Sequence, residues 1–347
     1  MWTEYAVMTD QTKTLESAIP ITPTIFLFAV VSIFLVGCLV GVIEVFYVYR
    51  LFVNQSFPKK IIGKFILYTV VLSILVLILY MLAASIVSNE PVFSKSIWEQ
   101  YVAFFFSITH ISTAIQLLFS LLVSLFYAEI SENLGQNILR NFFTGRYHKP
   151  VVEKRIFMFV DMKDSTAIAE KLGHEIYFSL IKDYYRSFSN AIIKNRGEVY
   201  QYVGDEIVIT WPLKKGLEKL QCIQCFFDMK NALEGKQQKF NKRYQIVPNF
   251  KAALHFGAVT TGEIGALKKD IFFTGDVLNT TARIISLSTQ LGHDFLISET
   301  LLKEFDKTTK LQQEISERFK VTNLGIQSFK GKTNELQVFS IERTNEI

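Results

Sequence analysis

The sequence is poor in cysteine and has little net charge. Among 347 residues there are three cysteines, and 37 Lys and Arg against 32 Asp and Glu give a formal net charge of +5. So few cysteines exclude a disulfide framework, as expected in a reducing compartment. A basic surplus this small is not typical of a protein that binds nucleic acid, and we expect no such partner.

Two of the cysteines, Cys222 and Cys225, form a C-x-x-C pair. No second pair of ligands accompanies them, and they lie three residues apart on a predicted helix. We therefore interpret them as core residues rather than as a zinc or redox site.

Half of the residues are hydrophobic, and the excess lies in the first 130 or so residues. Crossing the hydrocarbon core of a bilayer takes about 20 helical residues, and three apolar runs are that long. They cover roughly residues 25–49, 61–87 and 101–127. We predict a polar lead-in at 1–22 without a signal peptide's pattern, an all-α transmembrane domain at 23–128, and a helical coupling linker at 129–150.

The charges between the runs predict the orientation. Arg50, Lys59, Lys60 and Lys64 lie between the first two runs, whereas Glu90 and Glu99 outnumber Lys95 between the second and third. The positive-inside rule places the first loop in the cytoplasm. We expect a multi-pass protein of the cell (inner) membrane with its N-terminus outside and its C-terminal half in the cytoplasm. Glu44, an acid within the first run, is either a packing partner or a sensing site.

From residue 151 onward, short β-rich runs alternate with helical patterns. A strand is predicted at 156–161, a helix at 175–194, a hairpin at 198–211, a helix at 217–242 and a strand at 249–258. This strand–helix–strand–strand–helix–strand order is that of a ferredoxin-like α+β domain, which we assign to residues 151–347.

Two of these runs end in an aspartate, Asp161 and Asp205. If the runs are neighbouring strands, the two carboxylates lie together at the rim of the sheet. Mg²⁺ typically takes one or two carboxylates and completes its shell with water and phosphates. The alternative is that Asp161 caps a helix and Asp205 is a hairpin turn residue.

Five segments, in order, resemble the catalytic domain of the class III nucleotidyl cyclases, across about residues 155–343. They are Phe159–Thr166, Gly204-Asp205, His255-Phe256-Gly257 with Gly262 and Gly265, Gly275–Arg283, and Phe329–Lys332. The first departs from the family pattern, because Asp164 and Ser165 replace its Gly and Phe.

The resemblance implies a two-metal mechanism. Asp161, Asp205 and the backbone carbonyl of Met162 would hold two Mg²⁺ or Mn²⁺ ions per site over a nucleoside triphosphate. Asn279 would orient the ribose and Arg283 would offset charge on the α-phosphate. Lys330 or Lys332 would reach the terminal phosphates. In this family the aspartates and the Asn/Arg pair of one site come from different protomers, which implies a homodimer.

The base-reading positions implied by the resemblance are Gln201 and Phe272, which match neither the adenylate nor the guanylate pattern. An amide reads an adenine edge well, so ATP is favoured and adenylate cyclase activity is expected. The alternatives are a guanylate cyclase, a non-catalytic membrane receptor or scaffold, and a diguanylate cyclase.

Overall fold

The computed structural model describes residues 19, 22–52, 55–134, 144–265, 270–307, 309–327 and 335–344. The chain divides into two compact units, Met1–Leu139 and Arg140–Ile347.

The first unit is helical. Its helices are α1 (Pro23–Ile43), α2 (Tyr49–Phe52), α3 (Phe57–Ser88), α4 (Lys95–Phe105) and α5 (Ile108–Leu134), with a π-helical turn at Glu44–Val48. Three helical stretches are long and apolar enough to cross a membrane: Pro23–Val48, Phe57–Ser88 and Ile108–Ser131. The three predicted apolar runs thus correspond to three candidate spans.

The third stretch begins later than the sequence pattern predicts, at Ile108 rather than near residue 101. Ser107 separates α4 from α5, and its hydroxyl accepts a hydrogen bond from the backbone N–H of His110 at 3.1 Å. A serine in this position satisfies an otherwise unpaired donor of the first helical turn. The apolar run is therefore divided between two helices.

Two ion pairs join the helices of this unit. Glu44 accepts from Lys64 Nζ at 2.8 Å and also from the hydroxyl of Tyr68. Lys60, one turn before Lys64 on α3, lies 2.8 Å from Glu129 on α5. Glu44 thus joins the π-helical turn after α1 to α3, and both roles considered for it stay open.

The second unit is built on one mixed sheet in the order β2-β3-β1-β4-β6-β8-β7, with β5 paired to β4. Its strands are β1 (Val151–Met162), β2 (Glu198–Val203), β3 (Glu206–Pro212), β4 (Phe250–Ile264), β5 (Asp270–Thr274), β6 (Phe295–Ser298), β7 (Phe319–Gln327) and β8 (Leu336–Arg343). The first four strands lie in the ferredoxin-like order 4-1-3-2, which confirms the predicted α+β class.

Helices pack on both faces of this sheet. They are α6 (Ser165–Leu172), α7 (His174–Lys194), α8 (Leu213–Leu217), α9 (Gln221–Glu234), α10 (Gln237–Tyr244), α11 (Asp276–Ser286), α12 (Ser288–Leu291), α13 (Glu299–Asp306) and α14 (Thr309–Arg318). The single helix predicted at 217–242 is wrong. Lys219 and Leu220 have φ of 52° and 56°, a left-handed conformation that interrupts a helix.

The alternation of side chains along β1 separates two cores. Met158 and Val160 face a large core that includes Phe188 of α7, whereas Phe157 and Phe159 face a smaller one under α11. Successive residues of a strand point to opposite faces, so one strand serves both.

Cys222 and Cys225 are fully buried in the larger core, as predicted. Burial raises the pKa of the Cys222 thiol to about 12, which keeps it protonated and a poor metal ligand.

Candidate active site

Asp161 lies at the end of β1, where strand pairing sets its neighbours. It is directly opposite Lys251 of β4 in the antiparallel register. Lys251 Nζ lies 3.3 Å from Asp161 Oδ2, and the lysine side chain is only 18% exposed. The sheet thus places a partly buried cation against this carboxylate.

Asp205 lies in the tight turn between β2 and β3. The preceding Gly204 has φ of 62°, a conformation that glycine adopts without steric cost. The hydroxyl of Tyr185 on α7 lies 2.9 Å from the carbonyl oxygen of Gly204 and 3.1 Å from that of Glu206. Tyr185 therefore holds the turn on both sides of Asp205.

The electrostatics of this edge are dominated by negative charge. Burial raises the pKa of Asp161, Lys251 opposes the rise, and the nearby Asp205 adds to it. Burial, with Asp161 and Asp205, also raises the pKa of Glu206 to about 7. Asp205 Oδ2 is buried and has no hydrogen-bond partner among the described residues. This edge therefore contains more negative charge than its own cations neutralise.

The edge suits a hard divalent cation. Within the described parts of the chain, no three His, Cys, Asp or Glu side chains converge as a metal-binding group. Two carboxylates are what Mg²⁺ commonly takes from a protein, with water and substrate oxygens completing its shell. Two further features fit such a cation. An oxygen of Asp205 has no partner among the described residues, and Met162 directly follows Asp161.

Asn279 and Arg283 lie on α11, which is seated close to β4 by two glycines. A Cβ at Gly275 would lie 2.8 Å from the carbonyl oxygen of Ala258, and one at Gly257 would lie 3.1 Å from Cβ of Val277. Both distances are shorter than ordinary contacts, so only glycine lets the helix start here.

The outer face of α11 presents the two polar side chains together. Residues four apart on a helix are neighbours, and Asn279 is exposed while Arg283 is half-buried. Arg283 Nη1 is buried without a hydrogen-bond partner among the described residues. Within one chain's described residues, Arg283 forms no ion pair with Asp161 or Asp205, so the structure brings the aspartates together but does not pair them with this arginine.

The two predicted base-reading residues lie on strands that meet. Gln201 is exposed on β2, and Phe272 of β5 is 45% exposed. Their neighbours Tyr200 and Phe273 make an edge-to-face contact with ring centroids 4.8 Å apart. The structure thus brings β2 and β5 together beside both positions.

Lys330 and Lys332, predicted to reach the terminal phosphates, lie outside the described residues.

Sequence reasoning missed Lys251, Tyr185 and Glu206, each of which lies at the aspartate edge. Lys251 is found only once the register of β1 against β4 is known. Tyr185 depends on how α7 packs beneath the β2–β3 turn. Glu206 carried a weak signal, since it directly follows Asp205 in the predicted hairpin.

The family model described as the adenylate and guanylate cyclase catalytic domain matches residues 149–342. Adenylate cyclase 2 of Rhizobium meliloti (strain 1021) is 34% identical over 217 residues, which cover 62% of this chain and 58% of that protein. The adenylate cyclase of Anabaena cylindrica is 24% identical over 42% of this chain and 30% of its own.

The chain therefore spans less than two thirds of the length of these curated relatives. Among solved structures, the adenylyl cyclase CyaB from P. aeruginosa is 18% identical with a TM-score of 0.48, covering 57% of this chain and 98% of that chain.

Proposed function

This chain belongs to the adenylate and guanylate cyclase family, and we propose that it is a membrane-anchored adenylate cyclase that converts ATP to 3′,5′-cyclic AMP and pyrophosphate. One observation carries the proposal. A buried carboxylate oxygen of Asp205 and a buried guanidinium nitrogen of Arg283 both have no partner among the described residues. A metal-bound nucleoside triphosphate supplies a cation to the first and an anion to the second.

The aspartate edge holds the metal. Asp161 and Asp205, with the carbonyl of Met162, would bind two Mg²⁺ or Mn²⁺ ions, which when bound supply Lewis acidity at the ribose 3′-hydroxyl and neutralise phosphate charge. Tyr185 keeps the Asp205 turn in place on both sides. The protein's own contribution here is a rigid acidic edge that needs no rearrangement as charge moves.

In this proposal, helix α11 binds the nucleoside triphosphate. The ribose 3′-hydroxyl loses its proton to solvent and its oxygen attacks the α-phosphorus in line. The bond from the α-phosphorus to the pyrophosphate oxygen breaks, and negative charge grows on the α-phosphate oxygens. Arg283 would offset that charge with a planar guanidinium, whose N–H groups can donate two parallel hydrogen bonds to phosphate oxygens. Asn279, one turn earlier, would hydrogen-bond the ribose and hold the 3′-hydroxyl in position.

A homodimer completes each site. Apolar side chains are exposed along β2 and on β5, beside both halves of the site: Val199, Tyr202, Val203 and Phe272 are between 37% and 55% exposed. Surface of this kind, contiguous along an edge strand, marks a contact region. A two-fold axis there would bring the aspartates of one protomer to α11 of its twin, giving two sites per dimer.

The departure from the family's first motif does not weaken the proposal. Asp164 stands where the family has Gly, and its φ of 56° is in the left-handed region. Asp is one of the few residues that tolerate this conformation. Asp164 therefore fits the left-handed turn that follows Asp161 in this chain.

The membrane assignment follows from the three apolar helices and from the loop charges. We propose that the helices span the cell membrane with the cyclase domain in the cytoplasm, where ATP is available. The Lys60–Glu129 and Glu44–Lys64 pairs join α3 to α5 and to α1. Both lysines belong to the basic stretch that the positive-inside rule places on the cytoplasmic side.

The choice of base rests on Gln201, whose amide donates to and accepts from an adenine edge. The test is a cyclase assay on the purified full chain with Mn²⁺ and either ATP or GTP. We expect faster formation of cyclic AMP. A higher rate with GTP would make the protein a guanylate cyclase, and no product from either nucleotide would support the scaffold.

A further inference from the structure

A second concave region lies away from the aspartate edge. A cavity of about 640 Å³ opens between α9, the loop before β6, and the ends of β7 and β8. Two of its lining residues are aromatic: the rings of Phe226 and Phe295 stack with their centroids 4.0 Å apart. A cavity of this volume suits a small organic molecule.

The walls of this cavity carry unpaired positive charge. Lys230, Lys320 and Arg343 line it, and none of the three has an ion-pair partner among the described residues. Arg343 instead lies over the ring of Phe227, 5.3 Å from its centroid. Of the acidic lining residues, Asp294 is paired with Lys163. Glu342 lies 3.3 Å from Nδ1 of His293 and is opposite Lys320 in the register of β7 and β8.

The cavity wall is connected to the segment that follows Asp161. Asp294 accepts from Lys163 Nζ, and the carbonyl oxygen of Asp294 accepts from the backbone N–H of Ala252 at 2.7 Å. Ala252 follows Lys251, the lysine paired with Asp161. Asp294 thus contacts both segments that hold Asp161 in place.

We propose that this cavity is an effector site for a small organic anion, such as a carboxylate or a phosphate ester. The anion lies among Lys230, Lys320 and Arg343. Its presence moves the Asp294 wall and thereby alters metal binding at Asp161. The second effect rests on the proposed function, whereas the site itself does not.

Pyridoxal 5′-phosphate is a suitable probe, because it is an anion that reports where it binds. Its aldehyde condenses with a lysine amine with loss of water, and borohydride reduces the imine to a stable secondary amine. The full chain in detergent is labelled over a range of probe concentrations, reduced and mapped by mass spectrometry. Exposed Lys214 and Lys215 on α8 serve as internal controls.

We expect Lys230 or Lys320 to be labelled at a concentration about tenfold below that needed for Lys214 and Lys215. The variant R343Q should remove this preference, while R196Q, a charge loss elsewhere on the surface, should keep it. Equal labelling of all four lysines, or an undiminished preference in R343Q, would overturn the site.

The effector role has its own readout, the affinity for Mn²⁺ measured by electron paramagnetic resonance. Labelling should change that affinity several-fold in the wild type. The variant K163M, which lacks the contact with Asp294, should be labelled equally but show no change. Labelling that leaves Mn²⁺ affinity unaltered in the wild type would overturn the effector role. Neither readout uses cyclase activity, so an inactive protein would contradict the proposed function alone.

Discussion

The aspartate edge and helix α11 are two halves of one candidate site, and they are built in opposite ways. The aspartate edge is assembled by long-range strand pairing and contains surplus negative charge, because Asp205 raises the pKa of Asp161 and both raise the pKa of Glu206. Helix α11 is a local structure that presents Asn279 and Arg283 from positions four apart. The guanidinium of Arg283 is half-buried, and none of the residues that the structure describes pairs with its Nη1.

Each half of the site has an unpaired charged group, and the two groups have opposite signs. The strand edge already contains an internal cation, Lys251, but an oxygen of Asp205 has no partner among the described residues. The described part of the chain supplies no anion to Arg283 Nη1 either. Under the proposed function, the strand half would bind a metal ion and the helix half would bind phosphate.

The largest effect is expected from Asp205→Asn, which removes the unpaired carboxylate. Cyclic AMP formation by the full chain should fall roughly a thousandfold, in line with the loss of one preorganised electrostatic group. Mn²⁺ binding should weaken as well, with the elution volume of the dimer unchanged. Asp306→Asn, on the exposed end of α13, is the control. Activity that survives in Asp205→Asn would refute the metal assignment.

Arg283→Lys tests the helix half, and a smaller loss is expected. The lysine keeps the charge but lacks the planar fork, so kcat should fall about a hundredfold with KM for ATP little changed. Mn²⁺ affinity should not change, because Arg283 contacts neither aspartate within one chain. A loss of Mn²⁺ binding in this variant would show that the two halves are not separate.

Lys251→Met tests the aspartate edge alone, because it removes the cation that competes with metal for Asp161. We expect Mn²⁺ to bind roughly tenfold more tightly, as measured by electron paramagnetic resonance. Lys251→Arg keeps a cation opposite Asp161 and is the matched control. Weaker Mn²⁺ binding in Lys251→Met would mean that the lysine supports the metal site rather than competing for it.

The smallest effect concerns pH and stability. The pKa of Glu206 is about 7 in the folded protein, above the usual value near 4.3 for a free glutamate. The folded state thus holds a proton that the unfolded state releases. The stabilisation is complete below the unfolded pKa and is lost as pH rises through about 7. With metal chelated, Tm should fall by roughly 2 °C between pH 6 and 8, and Glu206→Gln should reduce that fall. If Tm falls as much in Glu206→Gln as in the wild type, groups other than Glu206 cause the fall.

The sequence predicted much of this arrangement, because its strongest signals are local. Apolar length revealed the three candidate spans, and alternating β-rich runs revealed β1 and the β2–β3 hairpin with their terminal aspartates. The spacing of Asn279 and Arg283 placed them on one helix face.

What could not be predicted depends on tertiary contacts. The pairing of Lys251 with Asp161 follows from the β1–β4 register, which no local pattern specifies. The break at Ser107 was hidden within an apolar run, and Lys219 and Leu220 adopt left-handed conformations that their residue types do not signal. Lys230 and Lys320 of the second cavity come from a helix and a strand far apart in sequence.

The most direct test asks whether the two halves of one site come from different protomers. Asp205→Asn and Arg283→Gln chains are expressed separately and together, and cyclic AMP formation is measured. Each variant alone should be inactive. Together, half of the dimers would be mixed, and each mixed dimer would keep one intact site, restoring roughly a quarter of wild-type activity by two-fold symmetry. A co-expressed pair as inactive as its parents would contradict a site shared between protomers.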